Sequence, residues 1–176
     1  MPGHLSLSDL IDYTDWERQK WHDRLRQQGD AVLKTSIGPH GDGRFSTVGE
    51  LLRHIFSAEK RYVERLSNRP LTDTNSLSAD NVEALFQFGD ESRRELKSFV
   101  EAYPGEQWDV SLEFKLMNSV LRVTPKKIIV HVLVHEIRHW AQIATLLRLN
   151  GVTGEFHDFL FSPAMGGEPK PEQATG

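Results

Sequence analysis

The sequence predicts an all-α fold: a four-helix bundle with a short β-hairpin before the last core helix. Two observations point to it. Four segments, each of about 20 residues or more, repeat apolar residues at helical spacing and are separated by glycine, proline or polar stretches. A fifth segment, between the third and fourth helices, alternates apolar and polar residues with the period of a strand.

The first helix is expected over about 8–28, with Leu10, Ile11, Trp16, Trp21 and Leu25 as its apolar stripe and Gly29 as its stop. The loop "TSIGPHGDGRFS" that follows is too rich in glycine and proline to be helical. Thr47 and Glu50 have capping-box spacing and open a second helix through Leu51, Ile55, Ala58, Tyr62 and Leu66, which ends before Pro70. "RPLTDTNSLS" is a polar linker. The third helix starts after Ser78, carries Val82, Leu85, Phe86, Leu96, Phe99 and Val100, and ends at Pro104-Gly105. Val110, Leu112, Phe114 and Leu116 then alternate with polar residues, and Asn118-Ser119 can turn the chain into a hairpin. Thr124 as cap and Pro125 at the first position open the fourth helix, which runs to Asn150 and stops at Gly151. "EFHDFLF" is expected to pack back on the bundle. The folded domain is expected over 1–161, with 162–176, rich in glycine and proline, as a disordered tail.

Composition excludes several functions. The net charge of −4 argues against a general nucleic-acid or anionic-membrane binder. No run approaches about 18 consecutive apolar residues, so no membrane span is expected. The N-terminal stretch lacks the pattern of a signal peptide, which makes a cytoplasmic protein the expectation. With no cysteine, the chain has no thiol nucleophile of its own, and any transition-metal site must use histidine and carboxylate.

The fourth helix contains "HVLVHEIRHW", with His131, His135 and His139 at four-residue spacing. Residues four apart share a helix face, so His135 and His139 can both point at one ion. His131 lies roughly 12 Å along the axis from His139, too far to join them. The rest of this helix is apolar almost all round, so the histidine stripe faces the bundle interior or a cleft in it. Spacing alone leaves a metal site and a set of buried structural histidines both open.

HEIRH also matches the H-E-x-x-H pattern of zinc peptidases, in which the glutamate is the general base. The context does not fit. Gln142 and Thr145 stand where the extended motif has glycine and a third histidine, and Glu136 lies about 100° round the helix from His135. A third ligand is better sought on another helix. His54 is the first choice, being in the second helix beside Leu51, Ile55 and Ala58; His22 is the second. His4, His40 and His157 are expected to be solvated.

"TPKKIIVHVLVHEIRHWAQIATLLRLNG" resembles the last core helix of the DinB (DinB/YfiT-like) superfamily. "STVGELLRHIFSAEKRYVERL" is similar to that family's second helix, and "YTDWERQKWHDRL" to its aromatic-containing first helix. The resemblance spans about residues 5–160. It implies the four-helix bundle and a metal triad of His54, His135 and His139, with His131 a neighbour and not a ligand. Gln142 matches the family's glutamine after the second ligand, but the familiar HRGQ reads HWAQ here.

The resemblance also implies a class of chemistry. Some members are metal-dependent thiol transferases that use a low-molecular-weight thiol, and others are hydrolases. The first expectation is therefore a metal-dependent thiol-S-transferase acting on a small-molecule substrate. The alternatives are a hydrolase of small esters or amides and a non-catalytic metal-binding or dimerisation bundle. Zn²⁺ or Ni²⁺ is the expected ion, with Fe, Mn and Co open, since histidine ligands do not choose among them. Gln142, His131 and Trp16 are candidate site-lining residues; Glu50 and Glu136 are candidate partners for the outer nitrogens of the ligands, each otherwise an ordinary solvated helix glutamate. Apolar positions in excess of one core favour a homodimer.

Overall fold

A computed structural model describes residues 5–38, 44–116, 118–153 and 158–167. Helix α1 is Leu7–Gln28, α2 Val48–Leu66, α3 Val82–Ala102 and α4 Pro125–Leu149; strands β1 Leu112–Leu116 and β2 Ser119–Val123 form an antiparallel hairpin before α4. The expected bundle and hairpin are both present.

Local chemistry explains the boundaries. Ser6 caps α1 through the Asp9 N–H at 3.1 Å, and the Asp9 carboxylate accepts the Ser6 N–H at 2.8 Å. Gly29 ends that helix at φ +72°, a conformation glycine adopts without the penalty a side chain brings, and a short 3-10 turn (Asp30–Lys34) follows. Thr124 caps α4 through the Lys127 N–H at 3.2 Å, with Pro125 at the first position.

Helix α2 packs on α3 and α4, and α1 packs on the same two, so α1 and α2 are diagonal partners. The core divides along the axis into two clusters. One contains Trp21 and Leu25 of α1, Leu52 and Phe56 of α2, Leu85 and Phe86 of α3, and Trp140 and Ile143 of α4. The other contains Ile11, Val63, Leu96, Ile129 and Leu133, with Phe114 from the hairpin. Each helix visits both, and the order of the visits sets its direction. Helices α1 and α4 run one way and α2 and α3 the other. The parallel α2–α3 pair requires a return over the full bundle length. The polar 67–81 link can span ~50 Å when extended, ample for a helix of ~28 Å.

Between the two apolar clusters lies a layer of charge. Arg18, Glu59, Arg93 and Glu136, one from each helix, are all at most 5% exposed. Arg18 donates to both Glu136 oxygens (2.9 and 2.8 Å) and to the Gly89 carbonyl (2.8 Å). Arg93 donates to Glu59 (3.0 Å) and Glu136 (2.5 Å), and to Thr14 (2.7 Å). Burial would raise the Glu136 pKa, but Arg18 and Arg93 outweigh it and hold the carboxyl below its ordinary range.

Of the expected 162–176 tail, Ser162–Gly167 form turns in which Ser162 and Ala164 are buried, so they belong with the folded part; 168–176 lie outside the described residues. Phe159 packs edge-on to Tyr13 at 4.8 Å, bringing the described end of "EFHDFLF" back onto α1; 154–157 lie outside the described residues. Among the described residues, no helix is long and apolar enough to cross a membrane.

Candidate metal centre

Antiparallel packing of α2 on α4 decides which residues face each other across their groove. His54, in the first half of α2, meets His135 and His139 about the middle of α4; Tyr62, two turns later, meets His131 nearer its start. The three predicted ligands come together. His54 Nε2 lies 3.1 Å from His135 Nε2, and His139 Nε2 lies 3.0 Å from the same atom. All three ligand atoms fall within 4.8 Å of one another, which makes this a group able to hold a metal ion.

Proton counting tests that fit. An imidazole nitrogen carries either one proton or one lone pair. His135 Nε2 therefore cannot donate to one neighbour while accepting from the other. A cation satisfies all three lone pairs together. Nitrogens about 2.0–2.1 Å from a common zinc-type ion stand roughly 2.8–3.4 Å apart in tetrahedral or octahedral order. The two close separations match that range.

Gln142 fixes the state of one ring. Its side-chain Oε1 lies 2.5 Å from His139 Nδ1, and a carbonyl oxygen can only accept, so Nδ1 carries the proton. In the neutral ring, Nε2 is then the bare nitrogen, and it points at the cluster. His135 is held neutral by another route. Burial, followed by the rings of His139, His54 and His131 and by Arg138, pushes it down to about 3. A ligand histidine must be neutral to bind.

His139 is buried, while His54 and His135 are half-buried, so the group is partly open to solvent. Phe45, from the segment before α2, lies 4.6 Å from the His54 ring and 6.4 Å from the His139 ring. It shields one side with an apolar face.

Other predicted site residues fall in different places. His131 is exposed beside the group, its ring 5.7 Å from that of His135, and Tyr62 Oη lies 3.3 Å from its Nε2. Trp16 packs on Tyr13 at 6.1 Å, with the Lys20 ammonium 4.9 Å over its ring, in a surface cluster of α1 apart from the histidines. His22 stacks on Phe86 at 4.2 Å and meets Glu83, and so belongs to the α1–α3 side. Glu50 accepts the Ser46 N–H at 2.7 Å. Glu136 is not a solvated glutamate but a member of the buried ionic layer. His4, His40 and His157 lie outside the described residues.

The geometry can now be set beside known proteins. The sequence profile of the DinB family matches residues 1–172, essentially the whole chain. The chain belongs to the DinB family. No curated protein matches it. In this DinB chain the unusual tryptophan of HWAQ has a structural role: Trp140 is 2% exposed, stacks on Trp21 at 5.4 Å and donates its indole N–H to Glu136 at 3.1 Å. The position points into the core, away from the histidines. Sequence reasoning did not anticipate Phe45, Tyr62 or the ionic layer. Phe45 lies against His54 and His139, and Tyr62 against His131, and only the packing of α2 on α4 reveals it.

Proposed function

We propose that the protein is a metal-dependent thiol-S-transferase, with a divalent ion such as Zn²⁺ or Ni²⁺ held by His54, His135 and His139. The observation that carries this reading is the convergence of the three histidine ligand atoms within 4.8 Å of one another, with two of the three rings partly exposed. An ion bound there supplies Lewis-acid chemistry, lowering the pKa of a small acid brought to it.

Among the protein's own groups, the choice between thiol and water turns on Glu136. A peptidase-like hydrolase would need that carboxylate beside the ion as a base. Here it is fixed by Arg18, Arg93 and Trp140 in the bundle interior. A thiol needs less help, because an ordinary thiol pKa of about 8.5 is already near neutrality, whereas bulk water sits at 15.7. The chain has no cysteine, so the thiol is a cosubstrate. In the reaction, the sulfur forms a bond to an electrophilic carbon, the leaving group departs with the electron pair of the broken bond, and the thiol proton goes to solvent. Gln142 holds His139, and Phe45 keeps water off one side.

The test is a conjugation assay of metal-loaded, tag-free protein with a chromogenic alkylating electrophile and a panel of small thiols, run beside small ester substrates. The expected result is a rate that rises and saturates with thiol and is lost in His135→Ala. Ester turnover without thiol, and no thiol-dependent conjugation, would overturn it in favour of hydrolysis.

A further inference from the structure

The histidine stripe of α4 runs on from the three-histidine group toward the hairpin. His131 lies 5.7 Å ring to ring from His135, and the Tyr62 hydroxyl lies 3.3 Å from His131 Nε2. Beside them the hairpin borders a pocket of about 140 Å³ lined by Tyr62, Phe114, Leu116, Leu121, Val123 and Ile128, together with the exposed His131 and Lys127. Phe114 and Tyr62 stack nearly parallel, with ring centroids 5.5 Å apart, as an aromatic pair in the lining.

We propose that this pocket is the subsite for the apolar part of the small-molecule electrophile, a single aromatic ring or a branched aliphatic group of similar size. The inference rests on the metal-site reading for the identity of the neighbouring chemistry. The occupant follows from three observations. The lining is apolar side chains almost throughout, so it gains by excluding water from a ligand and offers few partners to a polar group. The volume suits one ring, since a dry apolar cavity of about 150 Å³ holds benzene. The position neighbours the candidate metal centre, since His131 of the lining lies 5.7 Å ring to ring from His135, so a molecule with its apolar end under the hairpin can turn its reacting end toward the histidines. The Tyr62 hydroxyl and His131 stand at the junction, where the substrate changes from apolar to reactive.

Leu121 gives a clean handle, because it is 39% exposed on β2 and contributes little to the core. The direct test uses fluorobenzene as a probe, followed by ¹⁹F relaxation and by methyl shifts of Leu116, Val123 and Ile128 in the zinc-loaded protein. Saturable binding with shifts confined to those methyls, weakened tenfold or more in Leu121→Trp, is the expected result. No saturable binding, or binding unaffected by Leu121→Trp in a variant with unchanged melting, overturns the subsite. This readout needs no turnover. If fluorobenzene binds as expected and no thiol conjugation is found, the transferase reading fails and the subsite stands. Where conjugation is found, Leu121→Trp should raise KM for aryl or branched electrophiles about tenfold; an unchanged KM overturns the subsite.

Discussion

At the scale of single residues, the centre depends on protonation states that neighbours impose. Gln142 makes His139 present its bare Nε2, and removing such an outer partner typically lowers metal affinity by 10–100-fold. Gln142→Ala is therefore expected to weaken zinc binding by that factor in competition with a chromophoric chelator; an unchanged affinity would show that the contact is incidental. His135 adds a pH dependence to the metal-free protein. Its folded-state pKa is depressed to about 3, mainly by burial, while the unfolded chain takes up the proton near 6.5. Between those values the native state binds fewer protons, so His135 lowers stability progressively as pH falls below about 6.5 and contributes no slope above it. The urea midpoint should fall from pH 7.5 to pH 5, and His135→Asn should reduce that fall; equal slopes would contradict the assignment. Carboxylates such as Glu136 titrate in the same direction, and for this reason the comparison between variants decides it. The three clustered histidines were legible in the sequence because helical spacing aligns His135 and His139 and few histidines lie inside other helices. Glu136 was not, because its partner Arg18 is 118 residues away and nothing local marks the pair.

At the scale of elements, packing overrides propensity at the start of α2. A Cβ at Gly49 would lie 1.8 Å from the Ala79 carbonyl oxygen, a backbone atom in the link to α3. Alanine gains about 1 kcal/mol over glycine in a helix, yet overpacking against a fixed group costs typically 1–3 kcal/mol, and here the clash is severe. Gly49→Ala is expected to lower the melting temperature by several degrees; a rise would mean that the link yields easily. The sequence marks α2 by its cap and its apolar stripe, but not the close approach of 67–81 to it. That approach follows from the parallel α2–α3 pair, which is a property of the bundle and not of either helix. The hairpin shows the same division. Alternation at Leu112, Phe114 and Leu116 announced two strands, while only their placement over Tyr62 and Ile128 reveals that they wall a pocket.

At the scale of the whole molecule, two apolar clusters are joined through four buried charges, one from each helix. Such a layer contributes little net stability compared with apolar packing, yet removing one member leaves an uncompensated charge and costs about 3–5 kcal/mol. Glu136→Ala is expected to show that loss in chemical denaturation while still binding one zinc per chain when folded and supplied with excess metal. Loss of metal binding or activity with stability intact would instead return Glu136 to the role of a base. The amphipathic pattern made the bundle predictable, because each helix carries an apolar stripe. The layer breaks those stripes at one charged position apiece, where a single arginine or glutamate reads as a solvated residue until the helices are assembled. The central claim, that the groove between α2 and α4 is a metal centre built by one histidine of α2 and two of α4, is tested most directly by zinc analysis of tag-free protein. Wild type is expected to retain one ion per chain, and X-ray absorption should show three imidazole nitrogens at about 2.0–2.1 Å. His54→Ala, His135→Ala and His139→Ala should each lose the stoichiometric ion while His131→Ala keeps it. Stoichiometric zinc with an unchanged absorption spectrum in His54→Ala and His135→Ala would contradict the claim.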